Sequence, residues 1–143
     1  MAVDIDDNGG RLLSDRAVEF RVSARLENLA LVRTLVGAVG TFEDLDFDAV
    51  SDLRLAIDEA CTWLIKAAVE GATLVVLVDP SDDQVVIAAS TVCPLVAVMS
   101  PGSFSWHVLS SLTDEVSTFD AGEPGGGFRC GISLTTRRVS SLR

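Results

Sequence analysis

The residue pattern predicts an α/β chain of the α+β kind, a two-layer sandwich in which about three helices cover one face of a mostly antiparallel sheet. Apolar residues recur at helical spacing in three separate stretches, and alternating or β-branched runs fill the gaps between them. The two middle runs are separated only by Asp79, Pro80, Ser81, Asp82 and Asp83, a turn-forming string that fits a hairpin.

In chain order, Val18, Phe20 and Val22 alternate with polar neighbours over 17–23, the period of a half-buried strand. Ser23 is placed to cap a helix over about 24–39, with Leu26, Leu29, Leu35 and Val36 on its apolar side and Gly40 near its end. A second helix starts at Asp46 or Asp48, repeats Val50, Leu53, Ile57, Cys61 and Leu64 at helical spacing, and ends before Gly71. The hairpin strands are expected over 72–78 and 84–89. Residues 91–101 contain Pro94 and Pro101, poor in central strands, and are expected to cross irregularly. From Ser103, Phe104, Val108, Leu109, Leu112 and Val116 predict a third helix running to about Phe119. The glycine-rich turn 122–127 then leads into a last strand through Phe128, Cys130, Ile132 and Leu134.

Composition bounds the function. The 143 residues are 48% apolar, enough for one packed domain over 17–139, with 1–16 expected to be a disordered tail. The apolar runs fall short of the roughly 20 residues of a membrane helix. No secretory leader is apparent at the N-terminus, so the chain is expected in the cytoplasm. A net charge of −10 disfavours nucleic acid and favours a basic protein partner. Arg137 and Arg138, the basic pair near the C-terminus, read as a solvated strand end. Cys61, Cys93 and Cys130 are odd in number and widely spaced, which fits reduced core thiols rather than disulfides or a metal site. With His107 as the single histidine, no site on two imidazoles can be built, and beside Trp106 on a helix it is expected to pack or lie exposed rather than act in catalysis.

The most informative stretch is 53–68, LRLAIDEACTWLIKAA, where Asp58 and Glu59 interrupt a nearly uncharged amphipathic helix. Glu59 and Trp63 lie one turn apart on one face. With PGSFSWHVLSSLTDEVSTF and GGGFRCGISLTTRR further on, this stretch resembles the RsbW-like anti-sigma factors of the GHKL ATPase superfamily, and most nearly the actinobacterial, mycobacterial branch that regulates sigma-F. The similarity runs from Val18 to Arg138.

The resemblance implies a cytoplasmic homodimer that sequesters an alternative, stress-type sigma factor and is released by an anti-anti-sigma antagonist of the STAS type. It also implies an ATP-dependent serine kinase acting on that antagonist, with ATP and Mg2+ as cofactors. In the family motif Glu-x-x-x-Asn the glutamate orients the attacking group and the asparagine binds magnesium. Glu59 fills the first place, but Trp63 fills the second, and an indole offers one N–H donor and no oxygen for a hard cation. The family's Asp-x-Gly-x-Gly box is missing from 88–93, and its later Gly-x-Gly phosphate cradle survives only as Gly102, followed by Ser103 and Phe104. The reading is therefore a sigma-binding module that keeps a nucleotide-site remnant at Glu59, Trp63, Gly102 and Ser103 and has no protein metal site; the alternative is an active kinase using Glu59 as its base.

Individual residues leave alternatives open. Glu59 is either a general base or a helix carboxylate paired with a neighbour, and Asp58 is expected to be solvated. Trp63 either plugs a vacated pocket or stacks on a cofactor. Arg33 matches, by the resemblance, a position that contacts the sigma factor and the antagonist; otherwise it pairs locally with Glu27 or Glu43. Phe104 and Trp106 form either an exposed aromatic patch or part of the core.

Overall fold

The computed structural model describes residues 13–96 and 99–139. Strand β1 (Val18–Ser23) leads through a 3-10 turn (Leu26–Asn28) into α1 (Leu29–Phe42), followed by α2 (Phe47–Ala67), β2 (Thr73–Pro80), β3 (Gln84–Cys93), α3 (Phe104–Leu112), β4 (Glu115–Gly122) and β5 (Phe128–Arg137). The five strands form one sheet in the order β1-β2-β3-β5-β4, antiparallel at every pairing. The three α-helices lie against one face, giving the expected α+β sandwich.

The core sits between the layers. Leu74, Val76 and Val78 of β2 alternate inward, as do Val85, Ile87 and Ala89 of β3 and Cys130, Ile132 and Leu134 of β5. They meet Leu53, Ile57, Ala60 and Leu64 of α2 and Val32 and Val36 of α1. α2 occupies the middle of the helical layer and packs on both α1 and α3.

Gly40 lies near the end of α1, as expected, buried beneath Val50 and Leu45. Three local expectations are corrected. Ser23 does not cap α1: its carbonyl accepts from Asn28 Nδ2 at 2.8 Å, the 3-10 turn intervenes, and α1 begins after Asn28. β3 runs on to Cys93, because Thr91, Val92 and Cys93 pair with Cys130, Arg129 and Phe128. The third helix stops at Leu112, and 115–122 forms strand β4. Thr113 ends α3 in extended geometry with its hydroxyl donating to Leu109 O at 2.8 Å, and Asp114 N then donates to Thr135 O at 2.8 Å, opening the ladder with β5. Val116 therefore packs on the core from a strand.

The turn between α1 and α2 is rigidly built. Asp46 caps α2, its carboxylate accepting from Ala49 N at 2.7 Å. Leu45 before the cap and Val50 in the first turn of α2 both lie over Gly40, an arrangement of the hydrophobic-staple kind. Glu43 is tied to Arg138, which is no solvated strand end: its side chain is 15% exposed and its Nη2 lies 2.7 Å from Glu43 Oε1. Arg138 also donates to the Glu43 and Ser81 carbonyls, and Arg16 reaches the same carboxylate at 3.2 Å. Of the N-terminal stretch, residues 1–12 lie outside the described residues, while Ser14 N donates to Asp79 Oδ1 at 3.0 Å.

All three cysteines are buried in the core. Burial pushes the Cys61 thiol up to about 12, with the Asp58 carboxylate adding to the shift. Burial, with the neighbouring Cys130 thiol, pushes Cys93 up to about 11.

Candidate functional site

Consecutive residues of a helix point about 100° apart, so Asp58 and Glu59 face different neighbours. Asp58 turns to α1, where Arg33 Nη1 lies 2.6 Å from its Oδ1, the two side chains being 36% and 35% exposed. Asp58 is therefore paired rather than solvated. Neither local partner expected for Arg33 is used: Glu27 pairs with Arg25 and Glu43 with Arg138 and Arg16. Glu59 turns to α3 and accepts a hydrogen bond from Ser105 Oγ at 2.7 Å. Two adjacent carboxylates thus bolt α2 to the helices on either side of it.

One turn beyond Glu59, Trp63 is half-buried and packs against the core. Gly102 is solvent-exposed with φ +98, and a Cβ there would meet nothing within 4 Å, so conformation rather than space calls for glycine. Ser103 caps α3, its hydroxyl accepting from Trp106 N at 3.2 Å. That bond occupies a first-turn amide of the kind that would otherwise face an anion. The aromatic pair divides: Phe104 is 80% exposed, while Trp106 packs on the core. His107 is exposed. Ser105 escaped the sequence reading; a hydroxyl on the first turn of α3 carried no signal that it would meet a carboxylate 46 positions away.

These groups do not fit ATP and magnesium held in the usual way. Trp63 brings no oxygen to the metal position, and its indole is committed to packing. On β3, Ser90 Oγ accepts from Arg129 Nη1 at 3.1 Å and Thr91 Oγ1 donates to Thr73 O at 2.9 Å, so the polar side chains at the end of that strand serve the sheet. Among the described residues no group of three or more His, Cys, Asp and Glu could hold a metal ion. The arrangement can hold three helices in register and present one half-exposed arginine–aspartate pair at the surface.

The chain is 60% identical over 136 residues to the anti-sigma-F factor RsbW of Mycobacterium tuberculosis, in both strain CDC 1551 / Oshkosh and strain H37Rv. The match spans 94% of this chain and 81% of each relative. This chain belongs to the RsbW family of anti-sigma-F factors. No protein-family profile matches it. In this RsbW-family chain the α+β sandwich is the one that the residue pattern predicts. No helix among its described residues is long and apolar enough to cross a membrane.

Proposed function

We propose that this protein sequesters an alternative sigma factor of the sigma-F type and so withholds it from RNA polymerase. The observation that carries the reading is the 60% identity, over 94% of the chain, to proteins named anti-sigma-F factors. Arg33 is the contact residue in this reading. It stands half-exposed on α1, held in one orientation by Asp58, and can offer its guanidinium to a partner carboxylate without first being ordered. Release comes from a STAS-type antagonist competing for the same face. The protein works in the cytoplasm as a single GHKL-like domain and as a homodimer.

The site remnant at Glu59, Trp63, Gly102 and Ser103 acts in this reading as a structural clamp on α3 rather than as a kinase centre. Titration calorimetry tests both halves. Sigma-F factor added to nucleotide-free protein should give a saturable 1:1 or 1:2 complex, weakened at least about tenfold by Arg33→Glu; no binding by the unsubstituted protein would sink the proposal. Magnesium with ATP should give no heat. Binding abolished by Glu59→Ala would instead establish the kinase alternative.

A further inference from the structure

The corner between α1 and α2 carries an unusual exposure. Phe42, the last residue of α1, and Phe47, the first of α2, are 82% and 83% exposed. Between them Leu45 turns inward to the core, so the corner has its apolar anchor and neither phenylalanine contributes to holding it. Asp44, Asp46 and Asp48 are exposed around the two rings, and Asp52 follows one turn later. Glu43 is spoken for by Arg138 and Arg16, and Arg137 by Glu115. Phe42 also walls a groove of about 540 Å3 between α1 and α2, floored by Gly37, Ala38 and Val50 and crossed by the stem of Arg54, whose Cδ would lie 3.0 Å from a Cβ at Gly37.

Two exposed aromatic rings set among aspartates are complementary to an amphipathic helix with a basic face. Docking would remove the rings from water, while the aspartates would meet lysines and arginines. We infer that this corner is a second docking surface, and that its occupant is a basic, DNA-facing helix of the sigma factor. The inference rests on the sigma-binding reading above. Any protein that grips promoter DNA carries such a surface to meet phosphates. The acidic corner imitates that charge, and the phenylalanines give a protein-specific contact that phosphate cannot. The corner is separate from Arg33, which points from α1 toward Asp58 in the middle of α2.

Binding of purified sigma-F factor by calorimetry at two salt concentrations tests this, with Phe42→Ala/Phe47→Ala and Asp44→Asn/Asp48→Asn compared with the unsubstituted protein. Asparagine suits the φ of +62 at Asp44, so the second variant removes charge with the backbone kept. Circular dichroism and chromatographic size should be unchanged in both. The aromatic variant should bind at least about thirtyfold more weakly, and the charge variant should bind several-fold more weakly at low salt with a flatter salt dependence. Affinities within twofold of the unsubstituted protein would overturn the inference while leaving the sigma-binding reading intact. Loss of a dimer in the aromatic variant, with sigma affinity kept, would assign the rings to a second copy and equally overturn it. If the unsubstituted protein binds no sigma factor, both readings fall together.

Discussion

Replacing Glu43 with glutamine should show how much the C-terminal end of the sheet depends on the α1–α2 corner. The carboxylate is 8% exposed and lies 2.7 Å from Arg138, itself 15% exposed, so the substitution leaves a guanidinium largely shut off from water without its counter-charge. Breaking a buried ion pair from one side costs about 3–5 kcal/mol. Glutamine keeps one acceptor, and Arg138 keeps its bonds to the Ser81 and Glu43 carbonyls, which together return about 1–2 kcal/mol. The expected net loss is about 2–3 kcal/mol. The Arg16 contact adds little, because that side chain is 43% exposed and its pairing is screened by solvent. For a domain of this size each kcal/mol moves the melting temperature by about 3–4 °C, so Tm should fall by about 6–12 °C. Urea unfolding followed by circular dichroism measures the loss directly, and Arg16→Gln serves as the control, with an essentially unchanged midpoint expected. A Glu43→Gln loss no larger than that of the control would refute the claim that the buried pair, rather than backbone bonding, ties the corner to β5.

Asp46→Ala should destabilise the protein by about 1 kcal/mol through loss of the α2 cap, and Asp46→Asn should be nearly neutral; urea midpoints for the two separate capping from charge. Gly131→Ala would set a Cβ 2.1 Å from the Phe119 ring, whose far end must swing off the sheet. A loss of about 1–2 kcal/mol is expected, and pairing it with Phe119→Ala should make the second change far less costly than alone. The buried thiols make stability depend on pH in a fixed direction. Cys61 and Cys93 stay protonated in the folded chain up to about 12 and 11, while the unfolded thiols ionise near the ordinary value of 9.0. Their contribution is complete below pH 9 and is lost as the pH rises from there toward the folded values, so the urea midpoint should drop between pH 9 and about 11, and Cys61→Ala/Cys93→Ala should flatten that drop.

The fold was legible where each segment's own pattern decided its state. α2 has a cap, a long helical period and a glycine stop, and both ends fall where the sequence puts them. β4 was hidden because Val116 stands four residues after Leu112 and prolongs the helical period on paper. The missed signal was the turn 122–127: a glycine-rich reversal ahead of a strand calls for a partner strand behind it. In the site, Glu59 and Trp63 stand out through the places that the resemblance gives them in the family motif, one turn apart on one helix. The partners of Glu59 and Asp58 could not be read in this way, since Ser105 and Arg33 reach α2 from other elements, and sequence spacing carries no information about which side chains meet across a helix interface.

The strand order also has a consequence for how copies of the chain can meet. Among the described residues β1 and β4 are the two outer strands, and each leaves a row of backbone donors and acceptors without a neighbouring strand there. Glu19 and Arg21 lie along β1, paired at 3.0 Å, and β4 opens on Glu115 and carries Asp120. Charges on both rims make it costly for another chain to add itself as a sixth strand. A sequence this rich in apolar β-branched residues is thereby guarded against open-ended, edge-to-edge polymerisation.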